Sequence, residues 1–198
     1  MSNFFNLFKT NLEQLMNNRI EQLEKFAAEI DEKKSKMDPS KKDNDVLERD
    51  IERLKNLSDK TMQNLKALMY TTAVLGKKAI EAEKQTREKT VDIQGKDPFY
   101  DKKDKNGIAN MKLPKEIEEM GYSTIEGFLE NIIKKGEEES EIVEKHEEIL
   151  RTLNLRDSDV SKEAKGGIKK MFKIFKDSGK EEEKEEEIEE DELGDEEK

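Results

Sequence analysis

The sequence contains no cysteine and no tryptophan, and only three prolines and one histidine among its 198 residues. Without cysteine the chain has neither a disulfide framework nor a thiolate site, and a lone histidine disfavours a zinc centre. The chain also lacks a run of about 18 apolar residues, so no bilayer-spanning helix is predicted. Its first residues lack the basic start and apolar stretch of a secretory signal. We therefore expect a cytoplasmic protein.

Recognisable catalytic signatures are also missing. The sequence has no phosphate-binding GxxxxGKS loop, no GxGxxG after a strand and no GxSxG turn. The single histidine, His146, falls on a helical seam between Val143 and Leu150, a position typical of a packing residue. Paired carboxylates carry little information in a chain with 49 acidic residues. We expect a non-enzymatic protein that uses no cofactor or metal.

Apolar residues are scarce, at 32% of the chain, whereas charged residues make up 44%. This composition favours long helices with narrow apolar seams over a thick globular core. The sequence therefore predicts an elongated all-α protein, built on a long-helix hairpin or coiled coil with additional C-terminal helices and a disordered acidic tail.

Residues 1–93 have the pattern of a long antiparallel helical hairpin. Apolar residues recur at three- and four-residue steps from Asn3 to about Met37, and the turn formers Asp38, Pro39 and Ser40 follow. A second helix is predicted from Asn44 or Asp45 to about Val91. Its heptad-like seam comprises Leu47, Ile51, Leu54, Ser58, Thr61, Leu65, Leu68, Thr72, Leu75 and Ala79.

The middle of the chain is less regular. Residues 94–114 contain Gly, Pro and an Asn-Gly pair without helical periodicity, and they predict an irregular loop or insertion. Residues 115–156 predict a third helical segment, with a short helix first and then a long one opened by a capping box at Ser123 and Glu126. The weak stretch from Gly136 to Ser140 predicts a bend in that helix.

Residues 157–179 predict a basic amphipathic helix with separate apolar and lysine faces. Residues 162–176 contain six lysines and one glutamate, a local charge of +5. Such a helix suits an anionic membrane surface or a partner groove, and the alternative is that its apolar face docks on the protein's own core. The predicted contact residues are Ile168, Lys169, Lys170, Met171, Phe172, Lys173, Phe175 and Lys176, with a second insertion point at Phe4, Phe5 and Phe8.

Residues 180–198 form an acidic tail with thirteen acidic residues, three lysines and a charge of −10. The tail holds too little apolar material to order itself. Because the whole chain carries −11, the remaining residues sum to only −1. The tail either restrains the neighbouring basic helix by charge attraction or serves only to keep the protein in solution.

Together these patterns predict a scaffold or assembly module that self-associates and binds an anionic membrane surface peripherally through its amphipathic segments, with the acidic tail as a brake. One alternative is a chaperone or adaptor whose acidic tail binds a basic protein client. Another is a purely structural coiled-coil oligomer. Nucleic acid is disfavoured as a partner because the chain is acidic and contains only six arginines.

Overall fold

The computed structural model describes residues 11–37, 44–94 and 107–193, and describes side chains for 11–37, 44–86 and 107–177. This part of the chain is helical and contains no strand, which confirms the predicted all-α class. Its elements are α1 (Leu12–Ser35), α2 (Asn44–Gln94), a 3-10 turn (Ile108–Asn110), α3 (Lys115–Glu119), α4 (Ile125–Glu137), α5 (Ser140–Leu153) and α6 (Asp157–Leu193).

Helices α1 and α2 pack against each other as the predicted hairpin. Helix α2 has 51 residues and is about 76 Å long at a rise of 1.5 Å per residue. Near the end of α1, Lys33 Nζ lies 2.7 Å from Asp50 Oδ2 of α2. The predicted α2 seam is confirmed, since most of its members are buried: Ile51, Leu54, Thr61, Leu65, Leu68, Thr72, Leu75 and Ala79.

The hairpin has two parts that differ in their surroundings. Residues 24–35 of α1 and 44–60 of α2 form what we call the arm, where the buried residues Ile51 and Leu54 lie outside the main core. From Leu65 onward α2 enters that core and packs against α4, α5 and α6. The C-terminal helices therefore gather around one half of α2, and the arm is a two-helix element.

The main core draws on every helix from α1 to α6. Leu12 and Met16 of α1 are fully buried in it, as are Ile117 of α3, Leu129 of α4 and Ile168 of α6. Narrow apolar stripes on separate helices thus converge on a single shared interior, which is how a chain of low apolar content still builds a core.

Glycines let neighbouring helices approach α2 closely. A Cβ atom added to Gly136 of α4 would lie 2.2 Å from Tyr70 Cδ2, and one added to Gly167 of α6 would lie 2.6 Å from Thr72 Cγ2. Both distances are shorter than any real contact of a Cβ atom. By contrast, a Cβ atom on the adjacent Gly166 would meet nothing closer than Glu13 Oε2, at 3.7 Å.

This contrast predicts opposite effects of one substitution at two adjacent positions. Gly166→Ala should raise the free energy of unfolding by up to about 1 kcal/mol, because alanine favours helix over glycine. Gly167→Ala gains the same stability from helix propensity, but overpacking against Thr72 costs roughly 1–3 kcal/mol. The Gly167→Ala variant should therefore be less stable than the parent. Urea unfolding followed by circular dichroism measures both. Equal stabilities for the two variants would contradict the close approach of α6 to α2.

The third helical segment differs from its prediction. Its long helix is broken into α4 and α5 at Glu138 and Glu139, within the stretch where a bend was expected. The N-cap of α4 is Thr124 rather than Ser123, because the Thr124 hydroxyl accepts a hydrogen bond from the Gly127 N–H at 3.1 Å. The break lets α5 fold back on α4 and reach α2.

The boundary between the basic helix and the acidic tail also differs from the prediction. The backbone of α6 remains helical past Gly179 and ends at Leu193, and residues 194–198 lie outside the described part. Lysine and glutamate are good helix formers, and no proline interrupts this stretch, so local propensity favours continuation. The predicted end of the basic helix at residue 179 is therefore not the end of α6.

Candidate functional site

The apolar face of α6 belongs to the core. Ile168 and Met171 are fully buried, and Phe172 is 9% exposed. The ring centroid of Phe128 in α4 lies 6.0 Å from that of Phe172 and 5.4 Å from that of Phe175. Of the two possibilities for this helix, docking on the protein's own core is the one that the structure contains.

This placement bears on part of the predicted contact surface. Ile168, Met171 and Phe172 can contact a membrane or partner only if α6 leaves the core, because α6 packs against α1, α2 and α3 and against Phe128 of α4. Phe175 is half-buried against Phe128. The sequence pattern identified the apolar face correctly, but periodicity alone does not say which surface covers it.

The opposite face of α6 carries the lysines. Lys165 and Lys170 are half-buried, whereas the other four are exposed and form what we call the lysine face: Lys162, Lys169, Lys173 and Lys176. These four extend over about 21 Å of helix. None of them forms an ion pair with another described residue, in contrast to Lys66, Lys77 and Lys84 of α2.

The one carboxylate within residues 162–176 is engaged elsewhere. Glu163 Oε2 accepts a hydrogen bond from the Leu12 N–H at 3.3 Å, at the N-terminus of α1. Asn11 Oδ1 accepts from the Gln14 N–H at 2.8 Å on the same turn. A carboxylate at a helix N-terminus is stabilising, and Glu163 accepts from a backbone N–H in the first turn of α1. Since this carboxylate is engaged with α1, the lysine face contains only positive charges.

Phe4, Phe5 and Phe8, the other predicted contact residues, lie outside the described residues. The structure thus bears on the α6 part of the predicted surface alone. Within α6 it separates the predicted residues into a covered apolar set, the half-buried Lys170 and Phe175, and an exposed lysine set of Lys169, Lys173 and Lys176.

A second feature was not predicted from the sequence. An apolar groove of about 230 Å³ lies between α2 and α4, and its lining includes Met69, Tyr70, Met120, Tyr122, Phe128, Ile132 and Phe175. Two of its polar pairs are already made within the protein, since Asn131 Nδ2 donates to the Tyr122 hydroxyl and Lys66 pairs with Glu139 at 3.2 Å. The groove therefore offers an apolar surface but not a set of convergent catalytic groups.

No sequence signal marks this groove. Its residues come from α2, α4, α5, α6 and the segment around α3, and the close approach of α4 to Tyr70 at Gly136 helps to bring them together. In the sequence, each of these residues has the spacing of an ordinary packing residue on its own helix.

His146 packs against Thr71 and Tyr70 of α2, in agreement with its seam position. The Thr71 hydroxyl donates to the Ala67 carbonyl at 2.8 Å, so at the 2.9 Å contact with His146 it is Nδ1–H of the ring that donates to Thr71 Oγ1. The ring also packs edge-on against Tyr70, at 5.1 Å between centroids. Burial lowers the pKa of His146, and nearby Lys78 lowers it further against an opposing effect of Glu147.

These contacts predict a measurable titration. Because the folded pKa of His146 lies below the unfolded value of about 6.5, the unfolded chain takes up the proton first as pH falls. The contribution of this group to stability should be complete above about pH 6.5 and should decrease below it, toward the folded pKa. NMR titration needs no assignment, since the chain has one histidine. A folded pKa above 6.5 would contradict the burial, and His146→Gln should remove this part of the pH dependence.

Within the described residues no group of three or more His, Asp or Glu side chains could hold a metal ion. None of the described helices combines the length and apolarity that crossing a bilayer requires. Comparisons with protein-family models, with curated proteins and with solved structures gave no match to this chain. Any functional proposal therefore rests on the geometry of the chain itself.

Proposed function

We propose that the protein is a non-enzymatic helical scaffold that attaches to an anionic membrane surface through the lysine face of α6. The attachment is peripheral and electrostatic. The body keeps its apolar residues in the core while the lysines meet lipid headgroups.

The observation that carries this proposal is the division of α6 into a covered face and a charged one. Met171 is fully buried, while Lys169 and Lys173, two residues away on either side, are exposed. An amphipathic helix that inserts into a bilayer needs its apolar face free, and this one does not have it free. Lysines close to an anionic leaflet nevertheless contribute attraction without insertion, at about 1 kcal/mol each.

The arm supports the scaffold part of the proposal. It has apolar side chains on its surface, including Val46, which is 62% exposed, and Leu57, which is 39% exposed. A two-helix element with such residues outside the main core can present contacts to another protein while the body stays attached. The arm and the lysine face belong to different parts of the chain, so the two roles need not compete.

Co-sedimentation with vesicles tests the attachment. The full-length protein should pellet with vesicles containing an anionic phospholipid and stay in the supernatant with purely zwitterionic ones. Since the attraction is between exposed charges, raising the salt to about 0.5 M should release it. Binding that persists at high salt would indicate insertion and would contradict the peripheral mode, and a failure to pellet with anionic vesicles at low salt would overturn the proposal.

A further inference from the structure

Helix α6 carries two blocks of opposite charge on one continuous backbone. Residues 162–176 carry +5, and residues 180–198 carry −10. The helix spans both blocks up to Leu193. The charge pattern alone allows the acidic block of a chain to cover its own basic block.

A continuous helix prevents that contact. Lys169 and Glu187 lie near the middles of the two blocks, and 18 residues of helix separate them by about 27 Å along the axis. This distance is more than twice the Debye length of roughly 8–10 Å at moderate salt. Only the residues at the junction of the blocks are close enough to interact within one chain.

The lysine face is open to another acidic segment. Lys169, Lys173 and Lys176 are exposed and form no ion pair with a described residue. The core covers the opposite side of the helix, so a segment that binds α6 has to lie along the lysines. The chemistry that this surface fits is a helix rich in glutamate.

We infer that the segment is the acidic end of α6 from a second copy of the chain, with the two α6 helices antiparallel. If the two-fold axis passes near Ser178, Lys169 of one copy is level with Glu187 of the other, and Lys173 is level with Glu183. The same pairing recurs on the other side of the axis. The contact is therefore closed and self-complementary, as two-fold dimers require.

Charge contacts between exposed helices are individually weak and are screened by salt. The dimer should form at tens of micromolar protein in low salt, and its dissociation constant should rise at least about tenfold in 0.5 M salt. Membrane binding is not required for this pairing. The two contacts use the same lysines and therefore compete. The dimer experiment contains no vesicles, and the vesicle experiment uses protein below the concentration at which the dimer forms, so each can fail independently of the other.

Zero-length cross-linking of an isotopic mixture distinguishes contacts between copies from contacts within one. Full-length protein is prepared at natural abundance and with uniform 15N, mixed at low salt, and treated with a carbodiimide that joins lysine to glutamate. Mass spectrometry should find peptides from residues 165–176 joined to peptides from 181–192, with one isotope in each half. A triple variant, Lys169, Lys173 and Lys176→Gln, lacks the reacting amines and is therefore compared by sedimentation equilibrium. It should be monomeric in low salt while keeping the helical circular dichroism of the parent.

Each result has a defined meaning. An equal mixture that pairs at random gives mixed-isotope and single-isotope products in similar amounts. If all cross-links between the two blocks carried the same isotope in both halves, the acidic block would lie on its own chain and the proposal would be overturned. The absence of cross-links between the two blocks would also overturn it, as would a sedimentation equilibrium that shows only monomer at low salt. Mixed-isotope products that disappear in 0.5 M salt are the expected result.

Discussion

Replacing Ile168 with aspartate is expected to destabilise the protein by at least about 4 kcal/mol. Ile168 is fully buried between α6 and α2, where a Cβ atom on Gly76 would lie 3.1 Å from its Cδ1. The substitution removes a buried aliphatic side chain, at a cost of about 2–5 kcal/mol, and adds a carboxylate with no partner in an apolar site. Small proteins have only about 5–15 kcal/mol of stability, so the variant should be largely unfolded or close to it.

The matched control is Lys169→Asp, which places aspartate at the next residue of α6, on the exposed side of the helix. This variant should differ from the parent by no more than about 0.5 kcal/mol, as surface substitutions usually do. Urea unfolding followed by helical circular dichroism measures both variants. If Ile168→Asp were as stable as Lys169→Asp, the apolar face of α6 would not be part of the core.

The second large effect concerns vesicle binding by the lysine face. Changing Lys162, Lys169, Lys173 and Lys176 to glutamine should reduce the affinity for anionic vesicles several-hundred-fold, since each lysine contributes about 1 kcal/mol near such a surface. The unfolding curve should change little, because all four side chains are exposed.

The control for this variant keeps the net charge equal and moves the substitutions. Changing four exposed lysines elsewhere to glutamine lowers the charge of the chain by the same amount: Lys25, Lys55, Lys60 and Lys112. Only the first variant should lose binding if a defined face attaches to the surface. An equal loss in both would mean that overall charge, and not the lysine face, governs the attraction.

The helical hairpin could be predicted because its signals are local. The seam of α2 from Ile51 to Ala79 follows from apolar spacing, and the start of the helix at Asn44 follows from the turn formers before it. The position of α6 relative to α2 could not be predicted in this way. It depends on Gly76 and Gly167, whose lack of a side chain lets the two helices come close together. This effect appears only once the helices are in contact, so the sequence of either helix alone does not reveal it.

The candidate surface could be predicted only in part, because helical spacing is a local signal and the contacts of a helix are not. Helical projection separated the lysines of α6 from Ile168 and Phe172, and that separation is present in the structure. The projection could not tell which face is free, because an apolar stripe suits a lipid surface as well as a neighbouring helix. The answer depends on the helices that α6 packs against, chiefly α2 and α1, which are distant from it in the sequence.

The most direct test of the account is the environment of Met171 when the protein is bound to a membrane. The protein would carry 13C-labelled methionine methyl groups and bind anionic nanodiscs whose acyl chains hold a spin label. Because Met171 is fully buried in the core, its methyl signal should keep the chemical shift of the free protein and should not be broadened by the label. Broadening of this signal on binding would show that α6 leaves the core and inserts its apolar face into lipid, and it would contradict a peripheral attachment through the lysine face.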